Sequence, residues 1–270
     1  AYDFMLRRIT WLDQSGQMLG LTTLEPEPAM LFPLGAVAGG SFLLKELWGA
    51  AEVAQATETG LRRDPLAFVR FDGEGTLLDT LCLLPGRELL ITDEEGRGVM
   101  GTPPFAKNAV GTIWRGSVVV GTAEAVDLSV LGSAGETVRI LRIPELDFTL
   151  SPDDREGYVR GRLAALSPEE RPAERARLEA LPFPETRPAL GSLLPDKGGN
   201  LWVGDWVLFP ETPEEWKVLD PEGRWLGVVE APTRFYPYEI GEDWVLGVER
   251  DELDVEYIVV FPLIKVPADA

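Results

Sequence analysis

The sequence predicts an all-β fold, a β-propeller of four-stranded antiparallel blades with a short helical insertion. Two observations carry that prediction. One phrase, an apolar run, a polar turn ending in Gly and a second apolar run, occurs four times. Its copies are ITWLDQSGQMLGL (Ile9–Leu21), VRFDGEGTLLDTL (Val69–Leu81), LSVLGSAGETVRIL (Leu128–Leu141) and KVLDPEGRWLGVV (Lys217–Val229). Interleaved with them is a second kind of hairpin, in AVAGGSFLL, TIWRGSVVVG, LLPDKGGNLWVG and YEIGEDWVLGV. Gly-containing turns between apolar runs suit hairpins, and a recurring strand unit suits a radially repeated antiparallel fold.

With the strands of a blade lettered a to d from the inside out, the first phrase reads as a c-d hairpin and the second as a-b. In chain order this gives a partial first blade (c-d, about residues 2–24). Complete blades follow at about 30–84, 105–143 and 187–231, with a final a-b-c set at about 234–263. Ser117 to Gly121 and Asn200 to Val203 are short apolar runs that suit inner strands packed on both faces. Residues 87–101 are expected to form an extra hairpin or rim excursion around Asp93 to Gly96. Both ends of the chain offer a c strand. One propeller domain over 1–270 is therefore expected, lacking one or more N-terminal blades or closing in an unusual way.

The last two turn glycines, Gly135 and Gly223, are 88 residues apart, against 59 and 60 for the earlier intervals, so an insertion is expected at about 145–185. Ser151-Pro152-Asp153-Asp154 and Ser167-Pro168-Glu169-Glu170 are helix starts. Ser caps free amides, Pro suits the first helical position, and the acids favour the positive end of the dipole. Val159, Leu163 and Leu166 supply an apolar stripe. Pro172 should weaken or delay the second helix.

Composition narrows the chemistry. With 25 Lys and Arg against 45 Asp and Glu, the net charge of −20 opposes nucleic-acid and anionic-membrane binding. The chain has no His, which removes imidazole relays and His-ligated metals, and one cysteine, Cys82, which removes intrachain disulfides and CxxC sites. Within LDTLCLL, Cys82 reads as a small buried hydrophobe. No apolar run is long enough to span a bilayer, and no signal peptide is seen at the N-terminus.

Asp13, Asp72 and Asp220 read as turn-forming acids and not as a metal cluster, since the third copy has Gly132 or Ser133 in that place. Asp251-Glu252-Leu253-Asp254 reads as a solvated loop, and Trp202, Trp225 and Trp244 read as packing between sheets. The candidate ligand-binding residues lie just before or within the a strands, where a propeller's channel opens: Lys107, Asn108, Arg187, Arg234, Tyr236 and Glu239. Arg187 offers a planar donor fork to an anion, or pairs with Glu185 or another local acid. No catalytic residue, metal ligand set or cofactor is predicted.

The phrases LPFPETRPALGSLLPDKGGNLWV, WKVLDPEGRWLGVVEAP and YEIGEDWVLGVERDELDVEYIVVFPL resemble the C-terminal part of bacterial six-bladed β-propellers of the broad NHL/TolB-like kind. LRRDPLAFVRFDGEGTLLDTL and GTPPFAKNAVGTIWRGSVVVG resemble the same group. The resemblance covers most of the chain and rests on strand and turn residues, not on catalytic ones. It implies an extracytoplasmic location, and two functional readings stand beside each other, the first from blades without a coherent catalytic set and the second from the enzymes that related six-bladed propellers include. The first is a non-enzymatic module that binds an unknown protein or a small anionic ligand. The second is a metal-dependent hydrolase or lactonase, for which Glu239 and Asn108 are the available axial oxygen donors.

Overall fold

A computed structural model describes residues 1–3, 5–25, 30–37, 40–47, 59–94, 97–144, 146–164, 166–208 and 212–264. The fold is all-β: consecutive antiparallel meander sheets of the propeller-blade type, with a short helical insertion. The chain divides into two compact units, residues 1–122 with 127–142, and residues 123–126 with 143–270.

In the first unit, β1 (Tyr2–Asp3), β2 (Arg8–Leu12) and β3 (Met18–Thr23) form a three-stranded sheet. The expected c-d pair is thus joined by a short extra strand, because Tyr2 and Asp3 pair with Ile9 and Arg8. Next come β4 (Leu31–Val37), β5 (Ser41–Glu46), β6 (Gly60–Phe71), β7 (Leu77–Glu94) and β8 (Arg97–Gly101), a single five-stranded sheet. Of the two readings of residues 87–101, the extra hairpin is the one found, and it extends the blade. β7 runs on past the expected blade end to pair with the start of β6, and β8 adds a fifth strand. The turn between β7 and β8 lies outside the described residues. A regular four-stranded blade follows in β9 (Val110–Trp114), β10 (Ser117–Gly121), β11 (Asp127–Leu131) and β12 (Thr137–Arg142).

The apolar runs of the inner strands are continuous because both faces are buried. In β5, Leu43 joins Leu66, Phe68, Ala109, Val118 and Val120 on one face. Phe42 and Leu44 face the other way and join Leu24, Leu31, Val69 and Phe71. On the outer strands, Leu19 and Leu21 of β3 and Val138 and Ile140 of β12 are exposed.

The second unit carries the insertion, then β13 (Ser192–Pro195), β14 (Leu201–Gly204), β15 (Glu215–Leu219) and β16 (Trp225–Glu230) as a four-stranded blade. β17 (Phe235–Ile240), β18 (Trp244–Arg250) and β19 (Glu256–Pro262) form a three-stranded sheet. Helix α1 (Pro152–Ala164) begins on a reciprocal cap. Ser151 Oγ accepts from the Asp154 amide at 3.1 Å, and the Asp154 carboxylate accepts from Ser151 N–H at 2.9 Å. Helix α2 (Arg171–Glu179) starts later than Ser167, at the point where Pro172 falls in the first turn and costs no hydrogen bond. Val159 and Leu163 pack with Leu178, Leu166 and Phe183 to close a small core of the helices' own.

The repeated turn is one device, found six times among the described residues. Its first residue donates its N–H to the carbonyl four residues on: Asp13 to Gln17, Asp72 to Thr76, Gly132 to Glu136, Asp196 to Asn200, Asp220 to Arg224 and Asp251 to Val255. Where Asp leads, its carboxylate accepts from amides inside the turn, as at Asp13, Asp72 and Asp251. The third copy has Gly132 instead. There the Glu136 carboxylate folds back into the space a Cβ on Gly132 would fill, and takes the Ala134 amide at 3.0 Å. The acidic run Asp251 to Asp254 is the same turn, with Asp254 in the left-handed region (φ 58°) that Gly occupies elsewhere.

Candidate functional site

The second unit contains a cleft of about 510 Å³ between the entry end of β13–β15 and β17. Its geometry follows from one row of residues across the blade. Ser192, the first residue of β13, pairs with Gly204, the last of β14, which pairs with Trp216 on β15. Glu214, two residues before Trp216, lies on the same face by the strand period of two. A Cβ on Gly204 would run into both the Ser192 hydroxyl and a Glu214 carboxyl oxygen. Glycine there gives the carboxyl its seat.

In that seat Glu214 Oε1 accepts from Ser192 Oγ at 3.2 Å. Burial pushes the Glu214 carboxyl up to about 7; the Ser192 hydroxyl opposes the rise, and neighbouring Asp205 adds a smaller part to it. Trp216 Nε1 is buried close by and meets no acceptor in full hydrogen-bond geometry among the described residues. Asp205, one residue past β14, is ion-paired to Lys217, whose side chain is only 8% exposed. A carboxyl with this value exchanges its proton near neutral pH. It suits either proton transfer or the seating of a cation.

Trp206, Phe235, Tyr236 and Tyr238 supply aromatic surface around the cleft. A second cavity of about 280 Å³, lined by Trp202, Val229, Ile240, Val245 and Leu263 among others, shares Trp216, Pro232, Phe235 and Pro237 with the first.

Of the six candidate residues, Arg234 and Tyr236 line this cleft. Arg234 donates to the Asp251 carbonyl at 2.9 Å and lies 3.7 Å from Asp254, so its charge is held toward the β18–β19 turn. Glu239 lies elsewhere on β17, paired at 2.6 Å to Lys197. Arg187 stands at the base of the insertion with its guanidinium over the Phe148 ring. Lys107 and Asn108 belong to the first unit. The Lys107 amide donates to Glu88, and Asn108 Oδ1 is buried without a hydrogen-bond partner among the described residues. The same unit holds Lys45, whose ammonium donates to the Ala109 carbonyl at 2.9 Å and is brought down by burial to about 8.

Glu214, Ser192, Gly204 and Trp216 were missed in the sequence. The signal available was a glycine closing a buried strand opposite a serine, in the otherwise apolar LWVG. Trp202 is buried in the core as expected. Trp225 is not. It sits on the outer strand β16, 60% exposed, with Nε1 bonded to the Gly227 carbonyl at 2.8 Å. The Cys82 thiol is pushed up to about 11 by burial, in keeping with a packing role.

Among the described residues, no three Asp, Glu or Cys side chains are grouped to hold a metal ion, and no helix is long and apolar enough to cross a membrane. No family model and no curated protein matches the chain. Among solved structures it is similar to a member of the duf4221 family from Bacteroides vulgatus. That likeness has 9% identity and a TM-score of 0.48, over 97% of this chain and 73% of that one. It is also similar to a calcium-binding protein, regucalcin, from Agrobacterium tumefaciens (14% identity, TM-score 0.28, 94% and 78% covered). A third is a luciferin-regenerating enzyme (10% identity, TM-score 0.29, 98% and 90% covered). At such scores these likenesses assign neither activity nor ligand.

Proposed function

We propose that this chain is a binding module built on propeller blades of the broad NHL/TolB-like kind, and that the cleft of its second unit seats a small ligand. One observation carries the reading: a cleft of small-molecule size combines aromatic walls with a half-buried carboxyl, Glu214, in a seat built by Gly204. A thermal-shift screen of small amines, acids and sugars tests it. Ligands of the cleft raise the melting temperature of the wild type and not of Ser192→Trp, whose indole fills the seat. Equal shifts in both proteins would sink the reading.

A hydrolase is the second reading, favoured by a carboxyl poised near neutrality beside the ion-paired Asp205. A carboxyl whose surroundings raise it toward neutrality, beside a second carboxyl, is a usual basis of acid–base work. A lactone and phosphoester panel, run with and without calcium on the wild type and on Glu214→Gln, checks it. Turnover lost in the variant would replace the binding reading with the enzymatic one.

A further inference from the structure

We propose that the ligand is an amphiphilic cation, with an ammonium head against Glu214 and an apolar tail in the cavity behind Trp216. The inference rests on the reading of the cleft as a ligand site and names its chemistry. Three features carry it.

The first is the adjoining pair of cavities. Trp216 and Phe235 are walls of both, so a space of about 280 Å³ adjoins the one that Glu214 lines. That second space is lined by side chains such as Trp202, Ile240 and Val245, and its one acidic lining residue is Glu230. An apolar chain fits it, because each buried methylene tightens binding about fourfold.

The second is charge. Lys217 on β15 is committed to Asp205, a residue of the cleft lining, and Arg234, which lines the cleft from the β16–β17 connection, is held by Asp254 and the Asp251 carbonyl. Glu214 has a hydroxyl partner, Ser192, and no ion-pair partner among the described residues. A bound ammonium supplies that missing charge, and the chain's net charge of −20 draws cations toward it. The third is the aromatic lining that β17 adds to the same cleft: Tyr238, which is exposed, and Tyr236, whose ring already lies under the Arg250 guanidinium at 5.8 Å. Aromatic faces hold quaternary ammonium groups well.

Calorimetric titration of the full chain with hexyltrimethylammonium, tetramethylammonium and hexanoate tests the inference. One hexyltrimethylammonium should bind per chain, about tenfold tighter at pH 8 than at pH 6, since below about pH 7 it must displace the Glu214 proton. Tetramethylammonium, lacking the tail, should bind at least tenfold more weakly. Glu214→Gln should lose at least tenfold at pH 8 and abolish the pH dependence. Ala231→Leu, which narrows the tail cavity, should weaken hexyltrimethylammonium and leave tetramethylammonium unchanged. Hexanoate binding in place of the cation overturns the inference while the cleft remains a ligand site. Cation binding that is indifferent to pH and to Glu214→Gln also overturns it, as adsorption to exposed apolar surface. If no probe binds to folded wild type and the thermal-shift screen is also silent, the inference and the binding reading fall together.

Discussion

The Ser192 hydroxyl donates to the Glu214 carboxyl across 22 residues of chain, over a glycine that leaves both of them room. That relationship ties the stability of the second unit to pH. The Glu214 carboxyl sits near 7 in the folded protein, above the ordinary glutamate value it regains on unfolding. The folded state therefore holds the extra proton between those values, and stability falls as pH rises through that window. Glu214→Gln removes the cost of burying the charge. It should stabilise the protein at pH 8 by about 1–2 kcal/mol, the full shift being discounted for partial exposure, and should have little effect at pH 4. Urea unfolding at the two pH values measures the difference.

Gly204→Ala should destabilise the second unit by about 1–3 kcal/mol, because its methyl must displace a carboxyl oxygen, a hydroxyl and the edge of the Trp216 ring. It should also return the Glu214 carboxyl toward water and lower its titration point. Carboxyl titration by NMR in the variant checks both consequences together.

Lys45→Met should stabilise the first unit at pH 7. The ammonium is bonded to a backbone carbonyl and held near 8 by burial, below its ordinary value, so the wild type gains stability as pH rises from about 8 to 10.5. The advantage of Lys45→Met should shrink over that same range. Melting curves from pH 7 to 10.5 show whether the two proteins converge.

Asp254→Gly should stabilise the β18–β19 turn by about 0.5–1 kcal/mol. Asp254 holds the left-handed position that costs a side-chain-bearing residue energy and a glycine almost none. Its exposed contact with Arg234, at 3.7 Å, returns little of that energy. A lower melting temperature in Asp254→Gly would show that contact to be the stronger term.

The sequence by itself determined the strands, the hairpin turns and the helical insertion, because these obey local rules. Two-sided burial writes continuous apolar runs such as Phe42 to Leu44, and a tight turn writes Asp first and Gly fourth. Helix starts announce themselves in Ser-Pro-acid phrases, and Cys82 among leucines announces a packing thiol, half-buried against the core. Where a side chain substitutes for the local rule, as Glu136 does at Gly132 or Asp254 does for glycine, the pattern stays hidden though the turn forms. The site was beyond local rules altogether. Arg234 and Tyr236 were legible as residues at the start of an inner strand, but the carboxyl they flank was not. Glu214 is one of many acids in an acidic chain. Only the pairing of β13 with β14 and of β14 with β15 brings Ser192, Gly204 and Trp216 into one row beside it. Removal from water is a property of that assembled row, and it is what moves the Glu214 carboxyl to about 7.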